Sequence, residues 1–275
     1  MSGATTEGAR GRVLIIAGSD SGGGAGIQAD IKAVTALGGY AMTAITAITA
    51  QDTRGVHGVW PVALDAVAQQ MRVTLADIGA DCIKTGMLGS AALVELVAEV
   101  LDEAARTVPR VIDPVMVATS GDQLVDARAV DAVSALLVPG AALLTPNAPE
   151  AEVLTSKAVD GVNGQRRAAE ALLKRGAKGA LVKGGHIPGR VIIDVLQTED
   201  GELLFEQERI ETRATHGTGC TLASAIAALL AQDRAIPDAV EAARDYLREA
   251  IARAPGFGSG HGPVAHGWTL SAQQD

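Results

Sequence analysis

A Gly-Thr-Gly loop followed by a cysteine, within ATHGTGCTLASAIAALL at residues 214–230, has the residue types of a reactive site. Backbone N–H groups at the N-terminus of a helix are unpaired, and with the helix dipole they favour a bound anion. Cys220 would lie at such an N-terminus, where the pKa of a thiol is expected to fall. Cysteine is also a common small residue of buried cores. The stretch therefore leaves two interpretations open, a working thiol and a structural one.

Other side chains with useful chemistry directly follow short apolar runs. Asp113 precedes Pro114, which lacks the N–H that a strand would donate and so marks a strand end. Asn147 and Glu150 offer the oxygen ligands that Mg²⁺ prefers. Lys183, ahead of a Gly-Gly pair, has the charge to contact a phosphate. Each also has an ordinary interpretation, as a helix cap or as a solvated surface group.

A second glycine-rich stretch, GSDSGGGAGIQAD, follows the first apolar run of the chain. It is not a phosphate-binding loop of the Walker type, because no Lys-Ser or Lys-Thr follows its glycines, and it does not have the GxGxxG spacing. By itself it predicts only a strand-to-helix turn. The five histidines show no metal-ligand spacing and are predicted to be non-catalytic: His57, His186, His216, His261 and His266.

Apolar runs rich in β-branched residues alternate with amphipathic segments along the chain. The runs RVLIIAG, AITAITA, DCIKTG, RVIDPV, AALLTPN and GALVKGG are typical of strands buried on both faces. Helices are predicted between them, the first with Ile27, Ile31 and Val34 on its buried face and the others over residues 62–76, 90–106, 126–138 and 163–175. Near residue 190 a hairpin around Asp200-Gly201 interrupts this alternation. The pattern predicts a mainly parallel α/β sheet, with its polar loops gathered at the carboxyl ends of the strands.

Composition excludes several classes of protein. With 23 Lys and Arg against 32 Asp and Glu, the net charge is -9, and only six residues are aromatic, so nucleic acid is an unfavourable partner. Cys82 and Cys220 are far apart, which indicates neither a disulfide framework nor a zinc site and favours the cytoplasm. No apolar run has the length of a membrane span. Residues 1–11 are predicted to be a flexible tail and 12–275 a single domain.

Eight blocks spread over residues 12–266 resemble the hydroxymethylpyrimidine/phosphomethylpyrimidine kinases of thiamine biosynthesis, within the ribokinase-like superfamily. The blocks are AGSDSGGGAGIQADIKAV, TAITAQDT, KTGML, DPVMVATSGD, TPNAPEAE, VKGGH, HGTGCTLASAIAA and GHGPVAH. Their order makes the resemblance more specific than any one motif. It implies a three-layer ribokinase-like fold, an aminopyrimidine substrate, ATP with Mg²⁺, and a homodimer.

The resemblance also implies roles for individual residues. Cys220 would be the general base, beside an anion hole that includes Gly217 and Gly219, in place of the Asp found at this point in most of the superfamily. The implied substrate-binding residues are Gly18, Asp30, Gln51, Met87 and Val115; the nucleotide side would use Lys183, Asn147, Thr215 and Gly217, and the metal Asp113 and Glu150. The Gln51 carboxamide suits this role because it can donate to a ring nitrogen and accept from a 4-amino group. Thr119 stands where the family pattern has Lys, which bears on the second phosphorylation.

Two other functions compete with this one. A vitamin B6 kinase of the same superfamily would also phosphorylate a hydroxymethyl group on an aromatic nitrogen ring. A catalytically silent pyrimidine-binding protein would keep the pocket, although binding alone needs neither the metal carboxylates nor Cys220. A sugar kinase is disfavoured because position 220 is not Asp.

Overall fold

The computed structural model describes residues 11–116 and 125–271, whose strands form one nine-stranded sheet. Its spatial order is β3-β2-β1-β4-β5-β6-β7-β8-β9. The strands are β1 Arg12–Asp20, β2 Tyr40–Gln51, β3 Val56–Pro61, β4 Cys82–Thr85, β5 Arg110–Ile112, β6 Leu143–Leu144, β7 Gly179–Val182, β8 Val191–Thr198 and β9 Gly201–Glu208. Pairing is parallel from β2 through β7 and antiparallel at β2/β3, β7/β8 and β8/β9.

Alternate side chains of the strands enter two hydrophobic clusters, one on each face of the sheet. In β1, Leu14 and Ile16 belong to one cluster, whereas Val13 and Ile15 belong to the other, and all four are fully buried. Helices cover both faces: α1 Gly26–Ala36, α2 Leu64–Asp77, α3 Ala91–Ala104, α4 Ala127–Ala132, α5 Ala148–Thr155, α6 Val162–Lys174, α7 Thr218–Leu230, α8 Ile236–Ala252 and α9 Trp268–Ser271. Residues of α1, α7 and α8 pack in one cluster and those of α2, α3, α5 and α6 in the other. The predicted three-layer, mainly parallel fold is confirmed.

The late hairpin is also confirmed, since β8 and β9 pair antiparallel with Thr198 opposite Gly201. The edge strand β3 was not predicted, because it lacks a buried apolar run: its Val59 and Trp60 are exposed. The segment 126–138, predicted as one helix, is α4 followed by a π-helical turn at Val133–Leu137. Helices α5 and α8 were not predicted either.

Three further predictions can be compared with the structure only within the described residues. The predicted tail lies outside them except for Gly11, whose carbonyl oxygen accepts a hydrogen bond of 2.9 Å from the Tyr40 N–H. Thr119 also lies outside the described residues. Within residues 11–116 and 125–271, no helix combines the length and the apolar character that crossing a membrane requires.

Candidate active site

A cavity of about 710 Å³ opens at the carboxyl ends of the parallel strands, where the polar loops were expected to meet. It runs across the sheet from Gln51, at the end of β2, to Ile192 in β8. Twelve of the thirteen predicted site residues line it: Gly18, Gln51, Met87, Asp113, Val115, Asn147, Glu150, Lys183, Thr215, Gly217, Gly219 and Cys220. The exception is Asp30.

Two glycine-rich loops pack against each other at one side of the cavity. The carboxylate of Asp20, the last residue of β1, accepts hydrogen bonds from the N–H groups of Gly22 (2.7 Å), Gly24 (3.0 Å) and Ala25 (2.8 Å). Gly217, which caps α7, has φ 75°, and a Cβ there would lie 1.8 Å from the Gly24 carbonyl oxygen. Only glycine meets both conditions. The loop ahead of Cys220 is thus fixed by the loop after β1.

Cys220 occupies the first turn of α7 and is partly exposed. Burial raises the pKa of its thiol to about 12, although the Lys84 ammonium acts in the opposite direction. The expectation of a lowered pKa was therefore wrong, because the loss of hydration of the thiolate outweighs the favourable charges. At neutral pH the cavity holds a thiol. Cys82, in contrast, is fully buried in β4, as predicted for a core residue.

A cluster of charged groups lies next to the start of α7. Lys183 Nζ is 3.3 Å from Asp113 Oδ1, which also accepts from the Thr145 hydroxyl at 3.1 Å. Asp113 Oδ2 is buried without a hydrogen-bond partner among the described residues. A Cβ on Gly219 would stand 3.4 Å from Lys183 Nζ and 3.9 Å from this oxygen. The unpaired oxygen therefore lies beside the glycine loop that was predicted to receive phosphates.

Glu150 contributes a second buried carboxyl group to this region. Burial raises the pKa of Glu150 to about 7, with Lys183 opposing the shift and Asp113 reinforcing it. Glu150 Oε2 accepts from the Asn147 N–H at 2.8 Å, and Asn147 Oδ1 accepts from the Glu150 N–H at 2.9 Å. This reciprocal pair is a capping box at the start of α5. The side chain of Asn147 is thus engaged as a helix cap, the ordinary interpretation that its sequence position left open.

The carboxyl groups fit a Mg²⁺ ion that is carried in by phosphates. The described residues contain no cluster of three or more His, Cys, Asp or Glu arranged to bind a metal. Mg²⁺ bound with nucleotides usually needs only one or two protein carboxylates, because phosphate oxygens and waters complete its shell. Asp113 offers the unpaired buried oxygen, and Glu150 adds a negative charge when it loses its proton.

Asp30 does not line the cavity, contrary to the role that the resemblance implied. Its carboxylate is fully buried and binds Lys84 Nζ at 2.9 and 3.0 Å and the Ser224 hydroxyl at 2.7 Å. Burial lowers the pKa of Lys84, but the combined effects of Asp30, Cys220 and Asp113 raise it more, so the net shift is upward. Since Ser224 lies one turn after Cys220, this ion pair supports α7 from below. Asp30 therefore helps to position α7 and does not line the cavity in which a substrate would bind.

At the opposite end of the cavity, polar contacts surround the Gln51 carboxamide. Its Oε1 lies 3.3 Å from the Thr49 hydroxyl oxygen and its Nε2 lies 3.5 Å from His216 Nε2. The same imidazole nitrogen is 2.9 Å from Asp20 Oδ2. Met87 approaches Gly18 so closely that a Cβ there would be 2.7 Å from Met87 Cε.

Three of the five histidines line the cavity, namely His186, His216 and His261, and their predicted non-catalytic character stays a prediction. The absence of metal spacing gave no information about single histidines. The signal that could have found His216 is its place at the head of the HGTGC loop, which the fold brings to the carboxyl ends of the strands. Asp20 was missed because its backbone-binding role depends on the folded loop.

The chain is similar to known kinases over most of its length. The family model described as phosphomethylpyrimidine kinase matches residues 20–265. A hydroxymethylpyrimidine/phosphomethylpyrimidine kinase from Streptomyces coelicolor is 48% identical over 258 residues, covering 94% of this chain and 95% of that protein. The phosphomethylpyrimidine kinase structure from Clostridium difficile aligns with a TM-score of 0.78 at 38% identity, covering 87% and 99% of the two chains. A Staphylococcus aureus pyridoxal kinase in complex with AMP-PCP and pyridoxal aligns with a TM-score of 0.87 at 32% identity, covering 94% of both.

The fold is that of the small-molecule kinases that these structures represent. Within that class, the chain belongs to the phosphomethylpyrimidine kinase family. The resemblance identified from the eight sequence blocks is thereby confirmed.

Proposed function

We propose that this protein transfers phosphate from ATP to the hydroxymethyl group of 4-amino-5-hydroxymethyl-2-methylpyrimidine, and then phosphorylates the monophosphate to the diphosphate. The observation that carries this proposal is the sharing of one cavity by the Gln51 carboxamide, Cys220, and the Lys183–Asp113 pair. The first provides a donor and an acceptor for an aminopyrimidine ring, and the others provide charge for phosphate chemistry.

The reacting hydroxyl group is placed between the ring site and the start of α7. The backbone N–H groups of Gly219 and Cys220 lie in the first turn of that helix, where intrahelical acceptors are absent and developing negative charge is stabilised. Phosphoryl transfer depends chiefly on positioning and charge stabilisation, so the hydroxyl proton leaves late. Cys220 can receive it only as a thiolate, after its own proton has passed to solvent. Because its pKa is raised to about 12, the thiol first hydrogen-bonds to the hydroxyl group instead of waiting as a thiolate.

Lys183, Asp113 and Glu150 would hold the phosphates and the metal. The Lys183 ammonium is kept charged: burial lowers its pKa, but Asp113 and Glu150 raise it more. Bound Mg²⁺ supplies charge neutralisation of the phosphate oxygens. The two carboxyl groups would hold it, and Thr215 and Gly217 line the cavity where the glycine loop would meet the phosphates.

The adenosine part of ATP would occupy the side of the cavity next to β8. Apolar side chains line this side, which is separated from Gln51 by the width of the parallel sheet. They are Ile192, Ile210, Leu247 and Ile251. An apolar slot with charged groups at one end matches a nucleotide's base and its phosphates.

The test is product analysis with purified protein, Mg-ATP and the pyrimidine, followed by mass spectrometry. Successive appearance of the mono- and diphosphate is expected, and monophosphate alone would restrict the proposal to the first step. Pyridoxine in a parallel reaction measures vitamin B6 activity, which the likeness to pyridoxal kinase structures makes the second candidate. Binding of the pyrimidine without consumption of ATP would instead support the silent binding protein.

A homodimer in the cytoplasm remains part of the proposal. The edge strand β3 and its neighbour expose Ile48 opposite Trp60, and an exposed apolar pair at a sheet edge is suited to contact a second copy. Light scattering of the wild type is expected to give twice the chain mass of 27.9 kDa. Trp60→Lys is expected to shift the protein toward the monomer, and a monomeric wild type would refute this part.

A further inference from the structure

The contacts of His216 determine which of its atoms can donate a hydrogen bond to its neighbours. Its Nε2 is 2.9 Å from Asp20 Oδ2, and an ionised carboxylate only accepts hydrogen bonds. Asp20 is an acceptor because its carboxylate oxygens receive hydrogen bonds from the backbone N–H groups of Gly22, Gly24 and Ala25, and its pKa is lowered although burial acts in the opposite direction. His216 Nε2 therefore carries a hydrogen and donates to Asp20.

Thr49 sets the second constraint on Gln51. A hydroxyl group has one hydrogen to donate and can also accept. The Thr49 hydroxyl lies 2.9 Å from the Ser19 carbonyl oxygen, which only accepts, and 3.3 Å from the Gln51 carboxamide. Once the single hydrogen is used for Ser19, Thr49 is an acceptor toward Gln51.

These two neighbours require one orientation of the carboxamide. With Nε2 facing His216 at 3.5 Å, two donors oppose each other, and Oε1 faces Thr49, whose hydrogen is already used. Rotation of the amide by about 180° exchanges its oxygen and nitrogen at almost no steric cost. Thr49 then accepts from the amide N–H. The His216 N–H, which donates to Asp20 at 2.9 Å, then has the amide oxygen beside it at 3.5 Å rather than a second donor.

We propose that His216 and Thr49 hold the Gln51 carboxamide with its oxygen toward His216, and so turn the hydroxymethyl group of the pyrimidine toward Cys220. This inference rests on the proposed function. The ring nitrogen N3 accepts from the Gln51 N–H and the 4-amino group donates to its oxygen. The 5-hydroxymethyl group is the next substituent beyond the 4-amino group, so it lies on the oxygen side. His216 opens the loop that ends at Cys220, which places that hydroxyl group near α7.

The position of His216 is itself tightly fixed. A Cβ on Gly24 would stand 2.4 Å from the His216 ring carbon Cδ2, and the backbone N–H of His216 donates to the Gly262 carbonyl at 3.2 Å. The imidazole is buried. A fixed donor on one side of Gln51 and a fixed acceptor on the other make both His216 and Thr49 positioning residues that act through the carboxamide. Reversal of the amide would present the ring with its hydroxymethyl group away from Cys220.

A double-mutant cycle tests this dependence directly. His216→Phe and Gln51→Leu are each expected to lower kcat/KM for the pyrimidine about 30-fold, with KM for ATP within twofold of wild type. If His216 acts through Gln51, the double variant loses no more than about twofold beyond Gln51→Leu alone. Losses that multiply would overturn the inference, because a purely structural role of His216 would persist without Gln51.

Thr49 gives a second test that leaves Asp20 and His216 intact. Thr49→Val is expected to lower kcat/KM for the pyrimidine about tenfold, and Thr49→Ser, which restores the hydroxyl group, should recover most of it. Thr155→Val is the matched control, since that buried hydroxyl donates within α5, at 2.7 Å to Ala151 O, and Thr155 is not among the residues that line the cavity. Thr49→Val within twofold of wild type would overturn the inference.

Different results would refute the proposed function and the proposed orientation of the Gln51 carboxamide. A wild-type protein that does not phosphorylate the pyrimidine refutes the proposed function and this inference with it. Wild-type activity with a multiplicative cycle, or with an unaffected Thr49→Val, refutes only the orientation of the carboxamide.

Discussion

The two ends of the cavity are stabilised in different ways. Around Gln51, the chain's own groups complete the hydrogen bonding: Asp20 accepts from three backbone N–H groups and from His216, and Thr49 links Ser19 to the carboxamide. Around Asp113, a buried carboxylate oxygen has no partner among the described residues, and the nearby Glu150 has a pKa raised to about 7.

This contrast indicates at which end of the cavity a bound ligand would supply the missing interactions. The end around Gln51, here called the ring end, is organised before any ligand arrives, which limits the entropy lost on binding and favours one kind of ring. The end around Asp113 and Glu150, here called the phosphate end, carries an unfavourable local arrangement of charge that Mg²⁺ and phosphates would relieve. Changes at the first end should therefore alter KM for the pyrimidine, whereas changes at the second should alter kcat and the response to pH.

The largest effect is expected from Asp113→Asn at the phosphate end. The amide keeps the size of the side chain and can still accept from Thr145, but it removes the negative charge that would hold the metal. We expect kcat to fall about a thousandfold, with KM for the pyrimidine within threefold of wild type. Steady-state kinetics and the melting temperature check this together. A folded variant with kcat within tenfold of wild type would remove the distinction between the two ends.

Cys220 lies between the two ends, and its replacement should have the next largest effect. Cys220→Ala is expected to lower kcat about a hundredfold, because it removes the proton acceptor but leaves the backbone N–H groups of α7 in place. Turnover near the wild-type value would exclude the thiol from the reaction.

The raised pKa of Cys220 can be measured separately. Since the thiol titrates near 12, its alkylation by iodoacetamide should still be accelerating at pH 9.5 and should show no plateau. Cys82 is fully buried and is expected to react only after denaturation, so it serves as the internal control. A plateau near pH 7 would restore the lowered pKa that the sequence suggested.

The sequence predicted the layers of the fold and the residues that gather at the cavity, because both depend on strong local patterns. Buried strands are short apolar runs, and the polar residue after each run must lie at the same edge of a parallel sheet. The balance of burial against charge at Cys220 could not be predicted, since it depends on how far the surrounding chain excludes water and on how close the Lys84 charge lies. The sequence predicted the helix N-terminus, but it could not predict how far the Cys220 thiol there is hydrated.

Asp30 shows a second limit of the sequence. The apolar spacing of α1 predicted that Ile27, Ile31 and Val34 face the core, but Ile31 is 38% exposed and Asp30 is fully buried. A carboxylate can take a core position only when a buried cation pairs with it, and Lys84 comes from a strand 54 residues away. No local pattern indicates such a partner.

The third effect is a pH dependence that belongs only to the phosphate end. A carboxyl group with a pKa near 7 is mostly protonated at pH 6 and mostly ionised at pH 8. If the metal requires the ionised form, affinity for Mg-nucleotide should rise about tenfold over this range, with release of a proton. Titration calorimetry with Mg-AMP-PNP in buffers of different ionisation enthalpy measures both quantities.

Glu150→Gln is the control for that dependence. It should keep the weaker affinity at both pH values and release fewer protons, so that only the titration of the nucleotide remains. KM for the pyrimidine should change less than twofold over the same range in the wild type. In the absence of ligand the direction is the opposite for stability: because the pKa is raised above its ordinary value of 4.5, the contribution of Glu150 to stability is lost as pH rises through about 7. An unchanged dependence in Glu150→Gln would move the titrating group elsewhere.

The smallest effect is expected from Gly18→Ala at the ring end. The added Cβ would lie 2.7 Å from Met87 Cε, the far end of a flexible side chain that can turn aside. We expect KM for the pyrimidine to rise about threefold with kcat unchanged. Gly217→Ala is the matched opposite, because its Cβ would meet the Gly24 carbonyl oxygen at 1.8 Å with φ at 75°, and backbone cannot turn aside. If both variants lose activity equally, the ring face is as rigid as the glycine loops, and the adaptable contact assigned to Met87 is wrong.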